Sequence, residues 1–170
     1  MTKERPSWDE YFMMVALLIS TRASCQYYNA GAVIVNQEKR IIATGYNGAP
    51  KNIKNCLELG CRKDRLGIDR DEKNTGTCIG EHAERNALLH SKEQFKDSTM
   101  YSVLLPCTDC SKQIVGVGIS RVVYLRMYEE PNNLVNELFD EAKIKLEKMD
   151  LDLDKIYEFL VFAKNRPFTK

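Results

Sequence analysis

The feature that constrains this chain most is a set of metal-binding residue types divided between two distant segments. Residues 80–89 read GEHAERNALL and contain His82 and Glu84, and residues 106–110 read PCTDC and contain Cys107 and Cys110. Each segment precedes or opens a run with helical character. Because cysteines three apart at a helix start lie on one face, both sulfur atoms can reach one ion. If His82 shares that ion, the fold must bring the two helix starts together.

The donor set indicates zinc. Zinc takes neutral imidazole and thiolate ligands in a tetrahedron, and catalytic sites use three protein ligands and leave a fourth position for water. His82, Cys107 and Cys110 make such a set. The alternative is half of a structural zinc clip, with His82 an ordinary surface histidine.

Glu84 distinguishes these two interpretations. A structural site has four closed ligands, whereas a catalytic site needs a carboxylate that takes a proton from water and delivers it elsewhere. Residues two apart on an ideal helix point about 200° apart. His82 must therefore occupy the irregular first position of the helix if Glu84 is to reach the same water.

The surrounding pattern predicts an α/β layered domain. Ser7 and Glu10 fit a capping box before an amphipathic helix. Strands are predicted at 31–35, 40–45, 99–105 and 121–125, and the near-continuous apolarity of the first two favours strands covered on both faces. Helices are predicted at 81–90, from 107, around 134–139 and at 154–163, while residues 144–149 fit either a strand or a continued helix. We expect a single domain over residues 1–170, with an inserted cysteine-rich loop at 46–79 and a C-terminal extension at 150–170 whose apolar helix could dock.

Composition limits the partners. The 25 Lys+Arg and 24 Asp+Glu residues leave a net charge of +1, which gives no electrostatic reason to expect nucleic acid. The N-terminus is charged, and the longest apolar run, FMMVALLI, is 8 residues. It is too short to span a membrane, which takes about 20 residues. We expect a soluble, cytoplasmic protein, in which the six cysteines act as metal ligands or free thiols rather than disulfides.

The motifs resemble the deoxycytidylate (dCMP) deaminase family of the cytidine deaminase superfamily. The matching segments run in order over about residues 7–149 and include WDEYFMMVALLISTRASC, GAVIV, RIIATGYNGAP, HAERNALL, YSVLLPCTDCSKQIVGVGISRVVYL and LFDEAKIKLEKM. The pattern of H-x-E followed by P-C-x-x-C is typical of zinc nucleobase deaminases. The resemblance implies a three-layer α/β/α sandwich around a mixed five-stranded sheet.

The resemblance also implies an activity, the hydrolytic deamination of dCMP to dUMP and ammonia, which feeds dTMP synthesis. His82, Cys107 and Cys110 would hold the catalytic zinc, and Glu84 would carry the proton to N3 of the base and then to the leaving amine.

Three substrate contacts follow from the same resemblance. Asn47 would lie beside the sugar, Tyr128 would stack on the base, and Arg22 would contact the 5′-phosphate. Each has a plainer interpretation, as a turn residue, a packing aromatic and a solvated charge at a helix end. Arg85 departs from the family, which commonly has an aliphatic residue after HAE. It could lower the pKa of Glu84, read a phosphate, point to solvent or cross a subunit boundary.

Four further cysteines lie outside the catalytic set: Cys25, Cys56, Cys61 and Cys78. Four is the number that a closed structural zinc requires. Some relatives carry a second, structural zinc in this region, and Cys25 and Cys56 match its pattern. We expect an all-cysteine site that ties residues 46–79 to the core. The alternatives are four ordinary thiols, or three ligands with a fourth from elsewhere.

Other functions remain open at this stage. One is another deaminase of the superfamily, acting on a different nucleotide or on adenosine in tRNA. Another is a zinc-stabilised binding module without catalysis. The family resemblance further implies a homo-oligomer, commonly a hexamer, with dCTP as activator and dTTP as inhibitor, bound near GYNGAP in relatives.

Overall fold

The first helix begins where the capping box predicts it. In the structure, a computed structural model that describes residues 5–69, 72, 76–127 and 133–165, helix α1 spans Trp8–Ser20. Glu10 N donates to Ser7 Oγ at 3.2 Å, and Ser7 N donates to Glu10 Oε2 at 2.7 Å. These two bonds satisfy backbone donors that a helix start leaves unpaired.

Five strands form one mixed sheet in the order β2-β1-β3-β4-β5. β1 pairs antiparallel with β2 and β3, and β3, β4 and β5 run parallel. The undecided segment at 144–149 is therefore a strand. The strands are β1 (Gly31–Val35), β2 (Ile41–Tyr46), β3 (Thr99–Leu104), β4 (Arg121–Arg126) and β5 (Lys145–Lys148).

Helices cover both faces of this sheet, which confirms the three-layer α/β/α prediction. On one face, Phe12, Met13 and Ala16 of α1 pack into a core with Val33, Val35 and other sheet residues. On the other face, the remaining core includes side chains from α4, α5 and α6. The helices after α1 are α2 (Cys56–Leu59), α3 (Arg62–Arg65), α4 (Ala83–Leu89), α5 (Thr108–Gly116), α6 (Leu134–Glu141) and α7 (Leu153–Asn165).

Two sequence-based expectations need correction. All five residues of β1 are buried, but β2 is covered mainly on one face, because it lies at the sheet edge and pairs only with β1. The inserted loop at 46–79 also contains two single-turn helices, α2 and α3, too short for a period to be read from the sequence.

The C-terminal helix α7 forms as predicted but buries none of its side chains fully. Lys155 Nζ lies 3.4 Å from Glu10 Oε1 of α1. Leu153, Tyr157, Leu160 and Phe162 are all more than half exposed. Within the described residues, no helix combines the length and apolarity needed to cross a membrane.

Strand direction places several loops at the same end of the sheet, where the strands finish. β3 and β4 both end there, and β2 also ends there because it is antiparallel to β1 and β1 is antiparallel to β3. Loops beyond the carboxyl ends of parallel strands are the usual ligand-binding position in α/β sheets. The segments after β2, β3 and β4 are therefore expected to line one site.

Candidate active site

His82 is the N-cap residue of α4, with φ −74° and ψ 154°. Its backbone is extended rather than helical, which is the irregular position required for His82 and Glu84 to serve one site. Glu84 lies in the first turn of α4 and is only 4 % exposed. The geometric condition set by the H-x-E spacing is therefore met.

The paired cysteines open α5 in the same way. Cys107 is its N-cap, Cys110 is completely buried, and Cys110 N donates a hydrogen bond to Cys107 Sγ at 3.5 Å. His82 Nδ1 lies 3.4 Å from Cys107 Sγ and 3.5 Å from Cys110 Sγ. The three ligand atoms are all within 4.8 Å of one another, the only such group of three or more among the described residues. One imidazole and two thiols in this arrangement fit the three protein ligands of a catalytic zinc.

The thiols are electrostatically coupled. Hydrogen bonding from Cys110, followed by that from His82, lowers the pKa of Cys107 to about 4 against the cost of burial. The same Cys107 interaction and burial raise the pKa of Cys110. The hydrogen bond with Cys107 also raises the pKa of His82. The site therefore favours one thiolate even before metal binding, and a cation would favour the second.

Burial raises the pKa of Glu84 to about 7. A carboxyl group with a pKa near neutrality can both accept and release a proton at physiological pH, as a general acid–base requires. Such a shift through desolvation is typical of functional carboxyl groups.

His82, Glu84 and Cys107 line a cavity of about 480 Å³. The loop after β2 forms one wall, held by paired bonds from Gly48 N to Glu81 O at 3.1 Å and from Glu81 N to Gly48 O at 2.8 Å. This bridge connects the GYNGAP segment directly to the residue before His82. The described lining residues are Ser24, Cys25, Tyr28, Ala30, Asn47, Gly48, Ala49, Cys56, Cys78, Gly80, Glu81, His82, Ala83, Glu84, Leu104, Leu105, Cys107, Arg126 and Met127.

Asn47 lines the cavity and its amide is engaged with the backbone of the facing loop. Ala30 N donates to Asn47 Oδ1 at 2.8 Å, and Asn47 Nδ2 donates to Tyr28 O at 2.8 Å. Asn47 therefore holds the segment before β1 in place. This supports its interpretation as a loop-stabilising residue and leaves one Nδ2–H for a ligand.

The other predicted substrate contacts differ in their placement. Arg22 does not line the cavity, and Tyr128 lies outside the described residues. Arg126 does line the cavity, although no sequence motif singled it out. The signal was its position directly after the predicted strand at 121–125.

Arg85 forms an ion pair with Glu81, with Nε 3.0 Å from Oε2. Glu81 precedes the N-cap His82 and Arg85 lies in α4, so this ion pair joins the segment before the helix to the helix itself. This pairing is a local role that the sequence did not suggest, in which Arg85 balances a carboxylate at the cavity wall.

The remaining cysteines gather near the same cavity. Cys25, Cys56 and Cys78 line it, and Cys61 N donates to Gln26 Oε1 at 2.9 Å. Burial, followed by the neighbouring Cys25, Cys61 and Cys78, raises the pKa of Cys56. No three of these sulfur atoms approach one another as closely as the His82 group does.

Comparison with known proteins identifies the class. Residues 6–126 match the model of the cytidine and deoxycytidylate deaminase zinc-binding region. The chain belongs to this family.

Several individual relatives are deoxycytidylate deaminases. The deoxycytidylate deaminase of Saccharomyces cerevisiae is 45 % identical over 126 residues, 73 % of this chain and 39 % of that protein. That of Mycobacterium phage D29 is 38 % identical over 71 % of this chain and 95 % of its own length. The chain thus spans less than half of the S. cerevisiae relative, and 44 % of the Schizosaccharomyces pombe deoxycytidylate deaminase.

A solved structure agrees in fold. The dCMP deaminase of cyanophage S-TIM5, in complex with dCMP and dUMP, is 28 % identical and superimposes with a TM-score of 0.66, covering 86 % of this chain and 99 % of the phage chain.

Proposed function

We propose that this chain is a zinc-dependent dCMP deaminase that converts dCMP and water into dUMP and ammonia. The observation that carries the proposal is the buried Glu84 carboxyl group, which lines one cavity with His82 and Cys107, themselves grouped with Cys110. Relatives called deoxycytidylate deaminase, and a similar structure that contains dCMP and dUMP, support the choice of substrate. A structural zinc clip has no use for a buried acid at this place.

His82, Cys107 and Cys110 would hold the catalytic zinc. When bound there, zinc supplies the Lewis acidity that makes water a nucleophile at neutral pH. The donor set fits this ion because two thiols and one imidazole are soft-to-borderline ligands, and three protein ligands leave a position open.

Glu84 would move the protons. Its carboxylate oxygen accepts a proton from the attacking water, and the resulting carboxyl group donates it to N3 of the cytosine ring. The oxygen adds at C4, and a second proton delivered through Glu84 lets the amino group leave as ammonia. The C4–N bond breaks and a C4 carbonyl forms, which yields the uracil ring. The near-neutral pKa of Glu84 suits it to both transfers.

The substrate contacts rest on different support. For Asn47 beside the sugar, the support is its place in the cavity wall and its remaining amide N–H. For Tyr128 on the base and Arg22 on the phosphate, the support is the family resemblance alone.

We also propose a second, structural zinc held by Cys25, Cys56, Cys61 and Cys78. The electrostatic influence of the other three thiols on Cys56, and the position of Cys25 between α1 and β1, outside the loop, support a site that fastens residues 46–79. Single-domain organisation, a homo-oligomeric assembly such as a hexamer, control by dCTP and dTTP, and a cytoplasmic location are proposals of the same kind, supported by the resemblance and the composition.

A nucleotide panel tests the substrate. Ammonia release is measured with dCMP, CMP, dCTP, deoxycytidine, dAMP and dGMP, each with and without dCTP or dTTP as effector. We expect dCMP to give the highest kcat/KM. Activity restricted to a purine nucleotide would retain the zinc chemistry and overturn the substrate, and no activity on any member would favour an RNA substrate or a binding module.

A further inference from the structure

The charges around the cavity are unequal. Two carboxyl groups, Glu81 and Glu84, line it. Among the described residues that line it, Arg126 is the only arginine or lysine. Glu81 is paired with Arg85, and no ion pair joins Arg126 to a carboxylate among the described residues.

The sheet fixes where this charge lies. Arg126 is the last residue of β4 and is in register with Leu104 of the parallel strand β3. Leu105 N donates to Arg126 O at 2.8 Å, and Leu105 is two residues before the metal ligand Cys107. The backbone of Arg126 is therefore fixed by pairing with the segment that leads from β3 to Cys107 and Cys110.

Arg126 and Glu84 differ in their exposure to solvent. Glu84 is buried, while Arg126 is exposed, as is the adjacent Met127 at 62 %. A ligand that contacts both would have its reactive end at the buried carboxyl group and an anionic end near solvent. A nucleoside monophosphate has this arrangement.

We infer that Arg126 binds the 5′-phosphate of the substrate and sets the preference for a nucleoside monophosphate over a nucleoside; this rests on the proposed function. A phosphate monoester carries about −1.5 to −2 charges at neutral pH. An arginine at the cavity wall provides a planar pair of donors that matches two phosphate oxygens.

This assignment differs from the resemblance-based one. Arg22 does not line the cavity, whereas Arg126 does. The two arginines therefore compete for the same role and can be compared directly.

The test uses the zinc-loaded full chain and the variants Arg126→Gln, Arg126→Lys and Arg22→Gln. Arg40→Gln is the matched control, because Arg40 is an exposed arginine just before β2, at the strand end remote from the cavity. Two quantities are measured for each: kcat/KM for dCMP and deoxycytidine, and calorimetric binding of dUMP and deoxyuridine. The thermal unfolding midpoint checks that each variant is folded.

In Arg126→Gln we expect the kcat/KM ratio of dCMP to deoxycytidine to fall about 10- to 100-fold, mainly through KM, as for a lost charge-assisted hydrogen bond. The binding preference for dUMP over deoxyuridine should fall similarly. Arg126→Lys should lose less, because the charge remains without the paired donors, and Arg40→Gln should match the wild type.

Equal losses on dCMP and deoxycytidine in Arg126→Gln, or a selective loss in Arg22→Gln alone, would overturn the assignment. The two proposals fail separately. A wild type that does not deaminate dCMP, but whose dUMP preference disappears in Arg126→Gln, would overturn the function and keep the phosphate contact. If the wild type deaminates dCMP and the preference for dUMP is unchanged in Arg126→Gln, the proposed function is kept and the phosphate contact is overturned.

Discussion

At the scale of single residues, the site depends on where a helix begins. His82 and Glu84 would diverge by about 200° within an ideal helix. His82 instead keeps extended backbone as the N-cap of α4, and Glu84 takes the first turn. Cys107 likewise has extended backbone as the N-cap of α5. Both helix starts thus supply one ligand from outside the regular helix and a second group from inside it.

Metal binding is testable at Cys110. Cys110→Ser should lose the catalytic zinc, because a neutral hydroxyl is a poor replacement for a thiolate ligand. Metal content per chain, measured after gel filtration, should fall by one zinc relative to the wild type.

Ser111→Ala is the neighbouring control. Ser111 is fully buried and its hydroxyl has no hydrogen-bond partner in the described structure, so its removal should leave zinc content intact. Full zinc retention in Cys110→Ser would remove Cys110 from the ligand set.

At the scale of elements, two glycines set how closely helices approach the sheet. A Cβ atom on Gly45 would lie 2.2 Å from Ala83 O and 2.4 Å from Ala87 N of α4, and one on Gly31 would lie 2.1 Å from Ala16 O of α1. Backbone atoms cannot rotate away as a side chain does. The absence of a side chain at Gly45 therefore allows α4, with Glu84, to sit against β2.

Gly45→Ala should accordingly lower the free energy of unfolding by about 1–3 kcal/mol through overpacking, and should reduce activity by moving α4. Gly116→Ala is the matched control, because nothing lies within 4 Å of its Cβ position and alanine suits a helix better. Urea denaturation measures both. A Gly45→Ala protein as stable as Gly116→Ala would show that the close approach of α4 is not required.

An ion network connects three other elements. Arg121 of β4 donates to both carboxylate oxygens of Asp9 in α1, at 2.8 and 2.7 Å, and also pairs with Glu147 of β5. Tyr101 Oη donates to Asp9 Oδ1 at 2.6 Å. The Arg121 hydrogen bonds, together with that from Tyr101, lower the pKa of Asp9 from 3.8 to about 2 against the effect of burial.

The sign of the pH effect follows. The pKa of Asp9 is lower in the folded state than in the unfolded state. The contribution of the Asp9 carboxylate to the free energy of unfolding is therefore complete above about pH 4 and disappears as pH falls towards 2. Asp9→Asn should be less stable than the wild type at neutral pH by about 1 kcal/mol, because the pair is partly exposed and screened. Denaturation measured at a series of pH values should show the difference shrinking below pH 4; a constant difference would argue against the ion pair.

Much of the element order could be predicted because most elements leave a local signal. The strand at 31–35 is continuously apolar, and Ser7 with Glu10 specifies a helix start. The exposure of β2 could not be predicted, because it follows from an edge position that only long-range pairing determines. Arg126 was missed for the same reason: its relation to Cys107 arises from the register between β3 and β4.

At the scale of the whole molecule, Cys107 and three of the four further cysteines line one cavity. Cys25, Cys56 and Cys78 line the same space as His82 and Glu84. A structural zinc at these cysteines would therefore hold one wall of the active site in place as well as fasten the loop at 46–79.

Metal content distinguishes this arrangement from free thiols. We expect two zinc ions per chain in the wild type, and one in Cys56→Ser, which should retain the catalytic ion because His82, Cys107 and Cys110 are untouched. Its thermal midpoint should fall, since a bound metal stabilises the folded state. One zinc per chain in the wild type would contradict the second site.

The central claim is that Glu84 transfers protons at a zinc held by the adjacent ligands. The most direct measurement is dUMP formation from dCMP by the wild type and by Glu84→Gln, with zinc content determined on the same samples. We predict wild-type turnover, and a loss of at least about 100-fold in kcat for Glu84→Gln, the lower range for general acid–base catalysis, at equal zinc occupancy. Undiminished turnover in Glu84→Gln at equal zinc content would contradict the account.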